Sequence, residues 1–221
     1  MEAVGSPQPV KRPARVLRCA PLSESAFEIE LERPRDFSFE AGQSIRVYIG
    51  GEGRDYSLAG SPSAQTLLLV VRRIAGGAVS PALADAAPGS LFDFTGPHGV
   101  FTFRPSPRPV VLVATGIGIA PFLSMVRRGT VGFTLLHGAR SADELFHRRE
   151  LETAAARYVP CLSRQASPGC FDGRVTAWAR DHLPPGTFDF YLCGGRQMAR
   201  DMILLVDERF PGSRVYTEIF F

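Results

Sequence analysis

The chain has 221 residues, 45% of them hydrophobic and 21% charged, and a formal net charge of +3. That length suits one large domain or two small ones, with a core that needs neither metal nor disulfide staples. The basic residues are almost all arginine, Lys11 being the only lysine, and they form no block dense enough for a nucleic-acid footprint.

Cys19, Cys161, Cys170 and Cys193 match no zinc spacing and no iron–sulfur run, and their scatter argues against a secreted disulfide framework. The opening MEAVGSPQPVKRPARV lacks a signal-peptide core, and no apolar run reaches the length of a membrane span. A cytoplasmic protein with no membrane association is expected, with residues 1–13 as a flexible arm.

Along the chain, short alternating apolar runs come first: VLRCA, FEIELER, SIRVYIG, YSLAG, TLLLVVRR and LFDFTG. Strands at this spacing predict an antiparallel barrel or sandwich over residues 14–104. SPALADA (Ser80–Ala86) reads as a short helix with Ser80 as N-cap and Pro81 as its first residue. RPSPRP (Arg104–Pro109) reads as a linker, since its prolines disfavour regular structure. From residue 110 to 221, strand and helix patterns alternate. VVLVAT, FTLLHGA, YVPCLSR, FDFYLCG and RVYTEIFF read as strands. APFLSMVRR, ADELFHRRELETAA, VTAWARDHL and QMARDMILLVDERF read as helices. This alternation predicts a doubly wound parallel α/β sheet.

The turn after the first α/β strand, ATGIGIAP (Ala114–Pro121), combines glycines with a helix start. Glycine permits close approach of an anionic ligand, and the free N–H groups of the helix attract it. A tight βα turn with no ligand is the alternative. Pro121 stands where the ordinary dinucleotide fingerprint has its third glycine.

RDYS (Arg54–Ser57), GPHGVF (Gly96–Phe101), TGIGIAP (Thr115–Pro121) and CGGRQM (Cys193–Met198) follow one another in this order. Together they resemble the ferredoxin–NADP reductase superfamily, in which a flavin-binding Greek-key barrel precedes a nicotinamide-nucleotide-binding α/β domain. The resemblance runs from Ala14 to Phe221. On the flavin side it implies that Arg54 holds the flavin phosphate, that Tyr56 packs on the isoalloxazine face, and that Ser57 hydrogen-bonds near N5. It adds Asp55, Val71 and Arg73 to the flavin contacts, and Gly76, Gly77, Val79 and Ser80 as a second phosphate site. GPHGVF favours FAD over FMN; His98 within it is given no catalytic role, and Gln43 is read as structural.

On the nucleotide side, Thr115, Gly116, Gly118 and Pro121 are implied at the pyrophosphate, with Gly194 and Met198 nearby. Cys193 is implied beside the nicotinamide C4 and flavin N5. Ser163 and Arg164, with Arg174 and Arg140, are implied at the adenosine end, which favours NADPH and leaves NADH open. Glu218 would exchange a proton with flavin N5, with a pKa raised by burial, and Phe220 or Phe221 would cover the ring. Ser57, Cys193 and Glu218 form the implied catalytic set.

The implied activity is transfer of hydride from NAD(P)H to bound FAD and of electrons onward to a ferredoxin, flavodoxin or oxygenase component. A monomer is the simplest state. A flavin reductase that releases its flavin is the alternative, and a non-catalytic flavin or nucleotide sensor a third reading.

Overall fold

The structure, a computed structural model, describes residues 10–220, Phe220 by its backbone alone. The first six strands are β1 (Arg12–Pro21), β2 (Ala26–Glu32), β3 (Ser44–Ile49), β4 (Glu52–Ser57), β5 (Thr66–Arg72) and β6 (Leu91–His98). They pair antiparallel in the order β4-β3-β6-β1-β2-β5. The sheet edges meet where Leu58 bridges Leu69 and the Ala59 N–H donates to the Leu68 carbonyl at 2.8 Å, so the sheet curls into a barrel. Its interior follows the period-two pattern of strands: Ile29, Leu31, Ile45, Val47, Leu67, Leu69 and Val71 are fully buried in one cluster. α1 (Val79–Ala84) adds Val79 and Leu83 to that cluster.

Two local expectations change here. The helix starts after Ala78, two residues earlier than expected, and Ser80 is not its cap. The Ser80 hydroxyl instead accepts the Ile74 N–H at 3.0 Å, closing the loop that leads into the helix. β1 begins at Arg12, inside the stretch expected to be an arm, because Arg12 and Pro13 find ladder partners in Phe94 and Asp93. Residues 1–9 of that arm lie outside the described residues.

Residues 99–109 form neither helix nor strand. Beyond them come β7 (Val110–Thr115), α2 (Ala120–Arg127), β8 (Thr134–Ala139), α3 (Arg148–Ala154), β9 (Arg157–Leu162) and β10 (Phe171–Asp172). α4 (Val175–His182), β11 (Asp189–Gly195), α5 (Arg196–Arg209) and β12 (Arg214–Phe220) complete the chain. The strands form one parallel sheet in the order β10-β9-β8-β7-β11-β12. From β7 the chain builds outward through β8 and β9, then returns to β11 on the other side. The strand order therefore reverses between β7 and β11, the place where open α/β sheets leave a crevice at their carboxyl ends. α4 and α5 cover one face through Trp178, Ala179, Met202, Leu205 and Val206.

On the other face, Phe122, Leu123 and Met125 of α2 are fully buried between sheet residues such as Leu112 and Leu135 and barrel residues such as Ala59 and Val70. Burying each such side chain contributes about 1.5–3 kcal/mol, so the seam between barrel and sheet is itself a core. Polar contacts fix its register. Ser124 Oγ donates to the Gly60 carbonyl at 2.7 Å, and Arg127 Nη1 to the Ala59 carbonyl at 3.0 Å. Arg127 also meets Glu150 at 2.9 and 2.8 Å.

The stretch ADELFHRRELETAA is not one helix. A 3-10 turn spans Ala142–Glu144, and α3 starts only after His147, whose φ is 54°. The break buries Leu145 and Phe146 and swings the His147 imidazole across the seam to Glu28 on β2, 2.8 Å away. The hydrogen bond from His147 holds the Glu28 pKa below its usual value. Among the described residues, no helix is long and apolar enough to cross a membrane. The four cysteines are free thiols.

Candidate active site: two clefts at the domain seam

The ends of β7 and β11 are packed backbone to backbone. A Cβ on Gly118 would lie 2.3 Å from the Cys193 carbonyl oxygen, and one on Gly194 would lie 2.2 Å from Thr115 Oγ1. Thr115 Oγ1 in turn accepts the Gly195 N–H at 3.1 Å. Within the glycine turn only Gly116, at φ 57°, opens to a cleft, alongside Thr115 and Ile117. This corrects the expected phosphate cradle. Gly118 is a packing residue, and Pro121 is buried in the first turn of α2, away from either cleft.

The nucleotide-side cleft has a volume of about 590 Å³. It gathers Arg140, Ser163, Arg164, Arg174, Gly194 and Met198, as expected, and also Arg72, Glu144, Cys161, Val175, Gln197 and Asp201. Ser163 Oγ donates to the Ala139 carbonyl at 3.2 Å. Four guanidiniums thus face two carboxylates, and the positive excess of this concave surface concentrates anions.

The second cleft, about 650 Å³, opens between barrel and sheet. Its walls include Tyr56, Val70, Ile74, Ile117, Ala120 and Ile219, with Arg54, Asp55, Gly77, Val79 and Ser80 around them. Tyr56 is 8% exposed, and burial pushes its phenol pKa up to about 12. Arg54 Nη1 reaches Glu52 at 3.2 Å and donates to the Gly53 carbonyl at 2.8 Å.

Three expected flavin contacts fall outside this cleft. Val71 points into the barrel core, because alternate residues of β5 face opposite ways; Val70 and Arg72 are the ones that face out to the cleft. Arg73 is exposed and pairs with Asp85 at 3.0 Å, and Gly76 lies in the open loop before α1. Ser44 and His98 were not expected as lining residues. Their backbones pair across β3 and β6, and His98 Nε2 lies 2.9 Å from Thr95 Oγ1, so His98 is held at the cleft wall and is not a loose turn residue.

At the second cleft the two domains are joined by a side-chain pair. Ser57 of β4 is 3% exposed, and its hydroxyl hydrogen-bonds Glu218 Oε1 of β12. Burial raises the Glu218 pKa; the Ser57 hydrogen bond opposes this in part, and the Asp55 charge adds to it. Cys193 lies beside Glu218 in strand register, yet it is fully buried and lines neither cleft. Burial, then the Glu218 charge, pushes its thiol pKa well up, so the sulfur packs behind the site as a neutral group. The Phe220 side chain and Phe221, expected to cover the ring, lie outside the described residues.

These shapes suit two ligands. An apolar slot with an arginine at its rim fits a planar ring system carrying phosphate. A cationic cleft at a glycine turn fits a dinucleotide.

The family comparisons agree. Residues 21–103 match the model of an oxidoreductase FAD-binding domain, and residues 112–203 that of an oxidoreductase NAD-binding domain. Ferredoxin–NADP reductase B of Sorangium cellulosum (strain So ce56) is 38% identical over 169 residues, covering 68% of this chain and 69% of that protein. The ferredoxin–NAD(+) reductase component of the alkene monooxygenase system of Xanthobacter autotrophicus is 32% identical, covering 99% of this chain and 73% of that protein. The chain spans 54% of a 2-halobenzoate 1,2-dioxygenase electron transfer component, 60% of an aromatic O-demethylase reductase subunit and 56% of a toluate 1,2-dioxygenase electron transfer component. A crystal structure of a Neisseria gonorrhoeae ferredoxin NADP+ reductase with bound FAD and NADP superposes with a TM-score of 0.86 over 96% of this chain and 99% of that one. At 23% identity, that superposition shows the shared fold.

Fold, clefts and family models together define an oxidoreductase with one FAD-binding and one NAD-binding domain. The chain belongs to the ferredoxin–NADP reductase superfamily and is an NAD(P)H-dependent flavin oxidoreductase.

Proposed function

We propose that the chain is a reductase linking NADPH to an acceptor protein of the ferredoxin, flavodoxin or oxygenase-component kind, through FAD held in the slot beside Tyr56. When bound, FAD supplies the redox chemistry, taking hydride as an electron pair and giving electrons up singly. Arg54 binds flavin phosphate by its guanidinium fork, and the ring of Tyr56 supports the isoalloxazine face. Thr115 and Gly116 receive the nucleotide diphosphate.

Arg140, Arg164 and Arg174, with Ser163, bind the adenosine end. Among the described residues the side chains of these three arginines form no ion pair, so they are available for the extra phosphate of NADPH. Glu218, whose pKa burial raises, is the acid placed to exchange a proton at the slot, and Ser57 orients it.

The observation that carries this reading is the Ser57–Glu218 pair, in which an acid of the sheet domain meets a hydroxyl of the barrel. The acceptor class follows from the relatives, one named a ferredoxin–NADP reductase and another a component of an alkene monooxygenase system.

Anaerobic mixing of the FAD-loaded protein with each nucleotide is the test. NADPH should bleach the flavin absorbance faster than NADH, and a ferredoxin added afterwards should restore it. If neither nucleotide bleaches it, the reading fails.

A further inference from the structure

β12 carries Glu218 and is an edge of the parallel sheet, where among the described residues its only ladder partner is β11. A strand paired on one side needs contacts on its faces to fix where its side chains lie. Tyr216 and Glu218 are two residues apart and so share one face of β12. In register they meet Tyr191 and Cys193 of β11. The neighbour of Glu218 is thus a small thiol, while the neighbour of Tyr216 is a ring. Tyr191 and Tyr216 stack with centroids 4.6 Å apart and planes 24° from parallel.

The segment between the domains builds on this stack. Gly99 passes beside the acid, since a Cβ there would lie 3.8 Å from Glu218 Oε2. Phe103 stacks on Tyr191 at 5.8 Å and 19°, and Phe101 meets the same ring edge-on at 5.8 Å. The Arg104 N–H donates to the Tyr191 hydroxyl at 3.0 Å. The Arg104 guanidinium lies over the Tyr216 ring, 5.1 Å from its centroid. Tyr191 is fully buried and serves as a fixed post, and Tyr216 ties the edge strand to it.

We propose that Tyr216 is a positioning residue for Glu218: held by Tyr191 and by Arg104 of the inter-domain segment, it keeps the edge strand where the acid meets Ser57. This deepens the reading of Glu218 as the proton-exchanging acid and rests on it. Without the ring, β12 shifts outward, the Glu218–Ser57 contact lengthens and water reaches the carboxyl. Water favours the charged form, so the proton leaves at lower pH. The other groups that act on this carboxyl are Asp55 of β4 and Cys193 of β11, with Arg54 and His98 lining the same cleft. Substitution at Tyr216 changes none of them.

Tyr216→Leu, Tyr216→Phe and Arg104→Ala test this on the full-length chain, beside Glu218→Gln. One readout is turnover of the FAD-loaded protein across pH. The other is titration of the Glu218 carboxyl in the FAD-free protein, followed by NMR as the signal missing from Glu218→Gln. Tyr216→Leu should lower turnover by about 10- to 100-fold, the scale of a small misplacement of a reacting group. It should also move the alkaline limb and the carboxyl titration to lower pH. Tyr216→Phe keeps the ring contact and should stay within about twofold of the wild type. Arg104→Ala should shift both readouts in the same direction as Tyr216→Leu and cost about two- to fivefold, the worth of an exposed cation–ring contact.

Wild-type turnover and titration in Tyr216→Leu would overturn the proposal. So would lost turnover with an unmoved titration, which would make the stack a structural prop alone. Equal losses in Tyr216→Phe and Tyr216→Leu would overturn it too. Should Tyr216→Leu fail to fold, Arg104→Ala decides: a titration moved to lower pH supports the proposal, and an unmoved one overturns it. If Glu218→Gln keeps wild-type turnover and the alkaline limb, the reading of Glu218 itself falls, and this proposal with it. If Glu218→Gln loses both while Tyr216→Leu keeps them, this proposal alone falls.

Discussion

The two clefts touch, share Arg72, Ile74 and Ile117, and differ in almost everything else. The flavin cleft is walled by apolar side chains, and its charges are cancelled close to home. Arg54 meets Glu52 at 3.2 Å, Asp55 meets Arg46 at 2.9 Å, and burial favours the neutral form of Glu218. The nucleotide cleft is assembled from strand ends and loops and carries the uncancelled arginines Arg140, Arg164 and Arg174. Charge cancelled before a ligand arrives favours a ring retained by contact area. Charge left uncancelled favours a soluble anion that binds quickly and leaves, and salt weakens such binding. The contrast teaches that one protein can keep one ligand and exchange another by distributing its counter-ions unequally.

The sharpest way to break this contrast is at the buried acid. Glu218→Gln should lower turnover with an acceptor by about 100-fold or more, the usual worth of a placed proton donor. The wild-type rate should fall as pH rises through the raised Glu218 pKa, since the proton is bound below it and lost above it. Glu218→Gln should lack that alkaline limb. The same sign holds for stability: the contribution of the neutral carboxyl is present at low pH and lost as pH rises through the folded-state value. Steady-state rates across pH check the first claim and thermal melts the second.

The cationic cleft comes next. Arg164→Ala should raise the KM for NADPH by about 10- to 100-fold and change that for NADH by about twofold at most, as expected where an ionic hydrogen bond to the extra phosphate is lost. Equal loss for both nucleotides would place Arg164 elsewhere on the ligand.

The wall between the strand ends is the third target. Gly118→Ala sets a methyl against the Cys193 carbonyl and should cost about 1–3 kcal/mol in chemical denaturation, within the range for overpacking. Gly195→Ala is its control, since nothing lies within 4 Å of that Cβ position and its φ is −66°. The smallest effect should come from the slot. Tyr56→Leu keeps an apolar wall but loses the aromatic face, weakening flavin retention by about 0.5–1.5 kcal/mol, read from flavin left after dialysis.

Much of this was legible in the amino-acid order, and the misses share a cause. Strand and helix periodicities located both sheets, and the motifs located both clefts. Val71 and Arg73 against Val70 and Arg72 is a parity error: a motif identifies a strand, but only barrel closure decides which alternate residues face inward. Gly116 and Gly118 look equivalent in TGIG, yet one opens to the cleft and the other separates two backbones, because β11 arrives from far along the chain. Cys193 was expected at the reacting atoms. It is buried because the glycine turn and α2 cover its face of the sheet, where it joins the cluster of Ala114, Ile119 and Ala120. His147 gives no stop signal in an amphipathic pattern; its left-handed turn depends on Glu28, more than a hundred residues earlier.

Glu218 is carried on β12, at the edge of the parallel sheet, but it works beside Ser57 of the barrel. This has a hereditary consequence. A recombination that joined the barrel to some other nucleotide-binding half would deliver a fresh coenzyme preference and discard the acid in the same stroke. Such a hybrid would inherit a place for the pigment and lose the proton that goes with it.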